Sequence, residues 1–248
     1  MIRVAVMGCG KLGSIMAHGL RDGKVKDCQL VGVFSRSGSS ADRLAQECGC
    51  VSCTRLEELL ALKPEYILEA ATGEALMEHG ITCLEAGCNL ICISVGVLSN
   101  PDFFARAEAA AKVNRVKLVA ATGVIGGLDL AAAARMSGDL QGVLTKYHYS
   151  SGKSQLPDRY DGTAREAIEM SPRHLNIAVA AGLACGSLDQ TRMRLDVVSP
   201  EEKSGFLLEL HGDFGSATIR CNRSGRGPAL AAYSALAQLN RMTSAVVF

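Results

Sequence analysis

The feature that most constrains this chain stands near its beginning. A short apolar run, Ile2–Met7, ends in Gly8, and Gly8-Cys9-Gly10-Lys11-Leu12-Gly13 fits G-x-G-x-x-G. The string follows a β-favouring run and precedes a helical stretch expected from about Lys11 to Arg21, the context in which it has physical meaning. Gly8 permits a tight turn, Gly10 lets a pyrophosphate approach the backbone, and Gly13 lets helix and strand pack closely. The helix start, with Lys11 and Leu12, supplies N–H groups and a dipole that favours the anion. An ordinary strand–turn–helix is the competing reading of these residues.

Downstream, apolar strands alternate with helices. Strands are expected at Gln29–Phe34, Tyr66–Ala70, Leu90–Val95 and Val116–Ala120. Helices are expected from Ser39 or Ser40 to Cys48, Arg55–Leu62 behind Thr54, Glu74–Ala86, and Pro101 to about Val113 with Asn100 as cap. This is the pattern of a doubly wound parallel α/β sheet. After about Gly127 it changes. An alanine-rich helix, Leu128–Met136, leads to a strand, Gly142–Ser150, and a loop, Ser150–Pro157. Helices near Thr163–Met170 and Arg173–Ala184 precede strands at Arg192–Val198, Gly205–His211 and Ser216–Asn222. A final helix spans Ala229–Arg241. The expected domains are a Rossmann unit over 1–125, completed by the helix at 229–242, and a smaller α+β substrate and dimerisation unit over 126–228 with a mostly antiparallel sheet.

The end of the second strand bears on the cofactor. An NAD-binding site commonly has an Asp or Glu there, accepting from the ribose 2′-hydroxyl. This chain reads Val33-Phe34-Ser35-Arg36-Ser37, with no carboxylate. Arg36 would attract a 2′-phosphate, and Ser35 and Ser37 can donate to it, so NADP is expected over NAD. The alternative for Arg36 is a solvated surface side chain.

Composition excludes several other classes. The formal net charge is +1 and no basic run is present, which argues against a nucleic-acid or membrane footprint. The longest apolar stretch, Leu175–Leu188, is shorter than the roughly 20 residues of a bilayer crossing and contains Asn, Gly and Ser. With a strand beginning at Ile2, no signal peptide is expected, so the ten cysteines are expected to be free thiols in the cytoplasm. Cys48, Cys50 and Cys53 lack the second ligand pair that a zinc site needs, and no metal is expected.

Further segments carry a family resemblance. Glu69-Ala70-Ala71-Thr72, Ser94-Val95-Gly96-Val97-Leu98, Thr122-Gly123-Val124-Ile125-Gly126-Gly127-Leu128-Asp129, Asp161–Ala167, Asn176–Ala181 and Phe214-Gly215 together resemble the L-aspartate dehydrogenase family. The resemblance implies a Rossmann domain, a substrate domain with a mixed or antiparallel sheet, a homodimer, and hydride exchange between nicotinamide and a small amino or imino acid. Ala71, Thr72, Ser94, Gly96, Thr122 and Gly123 lie at strand ends, where ligands of open α/β sheets bind, and they are expected to line the nicotinamide. Asn176 is expected at the cofactor too, and Gly126-Gly127 leaves a helix N-terminus for an anionic substrate.

The chain departs from the family twice. Counting back from the Gly212-Asp213-Phe214-Gly215 turn places Phe206 where the family carries its active-site histidine, and Ser204 where it carries an asparagine. His174 stands where the family tends to have another asparagine, and it is the expected acid–base group. Lys146 and His148 are held in reserve, and His211, His18 and His79 are read as structural or surface residues. Arg165, Lys153 and Arg159 are candidate partners for substrate carboxylates. Two other functions stay open: an NADP-binding redox sensor that has lost its acid–base group, and a carbonyl reductase on the same fold.

Overall fold

The computed structural model describes residues 1–148, 157–171, 175–199, 204–222 and 229–246. The chain divides into two compact units, Met1–Gly123 with Pro228–Phe248, and Val124–Gly227.

In the first unit, β1 (Ile2–Met7), β2 (Cys28–Phe34), β3 (Val51–Cys53), β4 (Tyr66–Glu69), β5 (Asn89–Cys92) and β6 (Leu118–Ala120) form one parallel sheet. Their spatial order is β3-β2-β1-β4-β5-β6. That is the Rossmann order, and the winding reverses between β1 and β4, where ligands of such sheets bind beyond the carboxyl ends. The connecting helices are α1 (Lys11–Arg21), α2 (Gly38–Cys48), α3 (Leu56–Ala61), α4 (Gly73–Glu85) and α5 (Pro101–Asn114). Helix α1 forms here because Gly13, Met16, Ala17 and Leu20 recur at helical spacing and are all buried. The last helix, α9 (Ala229–Thr243), packs on α1, and a Cβ on Gly19 would lie 2.6 Å from Leu236 Cδ1. Val4, Val6, Met16, Leu68, Ile91, Leu236 and Leu239 share one core.

Caps set the helix starts. Thr72 Oγ1 accepts from Ala75 N at 3.2 Å to open α4, and Asn100 Oδ1 accepts from Phe103 N at 2.9 Å to open α5. Helix α2 starts at Gly38 behind Ser37, earlier than the expected Ser39 or Ser40 cap. The strand expected to reach Val95 stops at Cys92, and Val95–Ser99 forms a 3₁₀ turn. The reason is local: Ser94 is drawn out of the ladder by the Glu69 carboxylate.

The second unit contains α6 (Leu128–Ser137), β7 (Leu140–His148), β8 (Arg159–Thr163), α7 (Ala164–Met170), α8 (Asn176–Cys185), β9 (Arg192–Val197), β10 (Gly205–Gly212) and β11 (Gly215–Asn222). The sheet order is β11-β10-β7-β9-β8. Only the β7–β9 pairing is parallel, so the sheet is mixed and mostly antiparallel. Strand β8 was not expected, because its sequence, Arg-Tyr-Asp-Gly-Thr, has no apolar alternation. Asp161 holds it in place by accepting from Arg192 and pairing with Arg194 on β9. Residues 150–156 of the loop expected at Ser150–Pro157, and the first residues of the helix expected from Arg173, lie outside the described residues. No helix among the described residues is long and apolar enough to cross a membrane.

Candidate functional site

In the first unit the glycine turn sits at the reversal of the sheet, and its three glycines do three different things. Gly8 has φ +107°, and a Cβ there would lie 2.5 Å from Ala70 O and 2.7 Å from Ala71 N. It therefore lets the end of β1 touch the chain leaving β4. At Gly13 a Cβ would lie 1.7 Å from Gly8 O, so helix and turn are in backbone contact. Gly10 meets nothing within 4 Å and is exposed, and it caps α1 without a side chain. The first bond counted from this start runs from Ser14 N to Gly10 O at 2.9 Å. The amides of Lys11, Leu12 and Gly13 thus form the open positive end of a helix beside empty space. This geometry fits a pyrophosphate. Cys9, between two of the glycines, is 5% exposed, and burial pushes its thiol up to about 11.

The end of β2 lies one strand away. Ser35 N donates to Cys53 O at 3.2 Å, and Ser35 Oγ accepts from Ser37 N at 3.2 Å. Ser37 Oγ lies 3.2 Å from Ser39 Oγ and 3.3 Å from Ser40 Oγ. Arg36 is exposed and has no ion pair among the described residues. Arg43, on α2, pairs weakly with Glu47 at 3.9 Å and lowers the Cys9 thiol electrostatically, which places its charge near the glycine turn. Arg43, Ser39 and Ser40 were not foreseen as part of this region.

The strand ends beyond β4, β5 and β6 carry the other expected residues. Ala71 and Thr72 follow β4, Ser94 and Gly96 follow β5, and Thr122 and Gly123 follow β6. Two of the three hydroxyls are engaged within the protein. Thr72 Oγ1 caps α4, and Ser94 Oγ donates to Glu69 Oε1 at 2.8 Å. Gly123, at φ +65°, donates its N–H to Ser234 Oγ of α9 at 3.0 Å. Glu69 itself is wholly buried, and burial pushes its carboxyl above the usual range while hydrogen bonds from Ser94 and Ala71 oppose the shift. Sequence reasoning treated it as part of a motif without assigning it work. A lone carboxylate closing the apolar run Tyr66–Leu68 was the available signal. His79, expected at the surface, has a side chain only 15% exposed and meets the Phe34 ring edge-on at 5.4 Å between centroids. His18 pairs with Glu47 at 3.0 Å.

In the second unit, Asn176 opens α8 and is half-buried. His174 and Lys153 lie outside the described residues. Phe206 is 5% exposed and stands opposite Lys146 in the β10–β7 register. His148 ends β7 two residues beyond Lys146 and so on the same face of the sheet. It is 8% exposed, and its Nε2 has no hydrogen-bond partner among the described residues. Arg165 is taken up by Asp189 in a two-point pair and not by Glu166 or Glu169. Glu166 instead accepts from Thr163 N at 2.9 Å at the start of α7. Gly126 and Gly127 precede α6, which has no side-chain cap; a Cβ on Gly127 would lie 2.8 Å from Ile219 Cδ1, so these glycines also permit close packing on β11. Among the described residues no group of three or more His, Cys, Asp or Glu is placed to hold a metal.

Comparison with known proteins agrees with this layout. Residues 8–121 match the family model described as homoserine dehydrogenase, NAD binding domain, and residues 152–242 match aspartate dehydrogenase, C-terminal. The chain is 30% identical to an L-aspartate dehydrogenase of Ruegeria pomeroyi over 99% of its own length and 94% of the relative's. It is 30% identical to L-aspartate dehydrogenase 2 of Bordetella pertussis, over 82% of this chain and 80% of that one. The crystal structure of aspartate dehydrogenase from Thermotoga maritima superposes with a TM-score of 0.78 at 18% identity, covering 100% of this chain and 99% of that chain.

Proposed function

Because this chain belongs to the L-aspartate dehydrogenase family, we propose that it interconverts a small amino acid with its imino or keto acid by hydride transfer, L-aspartate and iminosuccinate being the family default, with NADP as the preferred cofactor. One observation carries the cofactor preference. The end of β2 presents Ser35, an exposed Arg36 with no ion pair among the described residues, and Ser37, and the Val33–Ser37 segment has no carboxylate to repel a 2′-phosphate. The pyrophosphate would rest on the amides of Lys11, Leu12 and Gly13, over Gly10. Ala71, Thr72, Ser94, Gly96, Thr122 and Gly123 would line the nicotinamide side. The bound nicotinamide supplies a hydride acceptor or donor at C4.

The proton on the amine or water needs a side chain that can carry it, and Phe206 cannot. In this reading the role belongs to His174, with His148 as its competitor. His148 is supported by a buried Nε2 that has no partner among the described residues. Replacing the working imidazole by alanine should lower kcat by about 10²–10⁴ and remove one limb of its pH profile. Replacing the other should not.

The cofactor is tested by kcat/KM for NADPH against NADH, in the wild type and in Arg36→Ala. Preference for NADPH that collapses in R36A supports the reading; an NADH preference unchanged in R36A defeats it. The substrate is tested with oxaloacetate plus ammonia beside a panel of keto and imino acids. Turnover that needs no ammonia would identify a carbonyl reductase, and tight binding without turnover would identify a sensor. The homodimer implied by the resemblance is tested by light scattering after gel filtration.

A further inference from the structure

The hydrogen-bond ladder between β4 and β5 runs out at the Glu69–Cys92 pair, with Ile93 N donating to Glu69 O as its last rung. The Glu69 side chain takes over. Its Oε1 accepts from Ala71 N at 2.8 Å and from Ser94 Oγ at 2.8 Å, and its Oε2 accepts from Ser94 N at 3.0 Å. One carboxylate thereby ties the segment leaving β4 to the segment leaving β5. The tie extends further, because Gly8 of the glycine turn packs on the Ala70–Ala71 peptide.

Glu69 is 0% exposed, so it touches neither substrate nor cofactor. A buried carboxylate loses its hydration, which costs several kcal/mol unless its partners are well placed. A leucine or valine would finish an apolar strand without that cost. What a leucine could not do is hold donors on two different chain segments.

We propose that Glu69 is the positioning residue for the nicotinamide half of the cofactor, fixing Ala71 and Ser94 in the arrangement that receives the ring. This rests on the reading that these strand ends line the nicotinamide. It also sets a polarity. With its proton donated to Glu69, Ser94 Oγ is left as an acceptor, so the group it serves is a donor, such as the amide N–H of the carboxamide.

Glu69→Gln tests this, because the amide keeps the shape but must turn a donor toward one of the donors that the carboxylate now satisfies. The measurement is calorimetric Kd for NADPH and NADH beside their nicotinamide-free counterparts, 2′-phospho-ADP-ribose and ADP-ribose. The expected result is a rise of about tenfold or more in Kd for the reduced dinucleotide, with a fall in kcat, while the nicotinamide-free ligand changes by less than about twofold. A purely structural role would not separate the two ligands. Glu69→Asp keeps the charge but shortens its reach to Ala71 and Ser94, and should give a smaller shift of the same selectivity; it carries the comparison if E69Q does not fold. Equal weakening of both ligands, or no change in either, overturns the proposal. A wild-type protein that binds neither ligand overturns the cofactor reading, and the proposal with it.

Discussion

Gly10 and Gly13 look alike in the motif, yet the structure gives them opposite sensitivities. At Gly10 the backbone has φ −81° and ψ −168°, which any residue adopts, and a Cβ meets nothing within 4 Å. Gly10→Ala should therefore fold normally, with stability changed by less than about 1 kcal/mol, because the gain from restricting the unfolded chain is opposed by alanine's poorer fit at an N-cap. The added methyl points into the space where a pyrophosphate would lie. Pushing the phosphates away from the start of α1 should lose two amide–phosphate hydrogen bonds, each about 1.5–3 kcal/mol because the acceptor is charged. The total, about 3–6 kcal/mol, corresponds to a loss of about 10²–10⁴-fold in affinity. Gly13→Ala differs. Its Cβ would lie 1.7 Å from Gly8 O and 2.9 Å from Gly8 C, and both are backbone atoms. The helix start itself must retreat, so stability should fall by about 1–3 kcal/mol or more, with binding lost as a consequence. Thermal unfolding and calorimetric titration with NADPH and NADH measure the two effects separately. G10A that binds within about threefold of wild type would refute the placement of the pyrophosphate.

Three further outcomes follow from other parts of the molecule. Leu236→Ala, which empties the contact between α9 and Gly19 of α1, should cost about 2–5 kcal/mol in urea unfolding and leave no compensating contact. Asp161 is held below the usual carboxylate range, first by its hydrogen bond from Arg192. Its contribution is thus present above the ordinary aspartate range and lost as pH falls through the lowered value, so the gap in urea midpoint between wild type and Asp161→Asn should be largest near neutrality and close on acidification. Burial pushes Cys9 and Cys88 up to about 11, and Cys50 and Cys83 up to about 12. Iodoacetamide at pH 8 should alkylate these thiols about 100-fold or more slowly in the native protein than in urea, as read by peptide mass spectrometry.

The first unit was legible because its signals agree. Apolar strands of three to seven residues stand between helices whose starts carry Thr72 and the Asn100-Pro101 pair, and the glycines fall where β1 meets α1. Strand β3 escaped because Val51–Cys53 is too short to show any period. Strand β8 escaped because its Asp161 is stabilised by arginines on a strand about thirty residues away, a pairing that local pattern cannot reveal. The cofactor end of the site was readable from residues that are chemically conspicuous, Arg36 among them. Glu69 was harder. Its role depends on donors from Ala71 and Ser94, and the convergence of those two segments exists only once β4 and β5 lie side by side.

The first unit is assembled from two stretches of chain that are not contiguous, Met1–Gly123 and Pro228–Phe248. On the ribosome this imposes an order. When Gly123 emerges, the whole parallel sheet is available, but the face of α1 around Gly19 has no cover and Gly123 N has no Ser234 to donate to. The covering helix arrives only after the intervening stretch, Val124–Gly227, has been made, a delay of about 5–20 s at typical rates of synthesis. Throughout that interval the nascent nucleotide-binding unit presents an apolar groove awaiting its own C-terminal segment. A chain broken off before Ala229 would keep every glycine of the motif and still lack the helix that completes the fold around them.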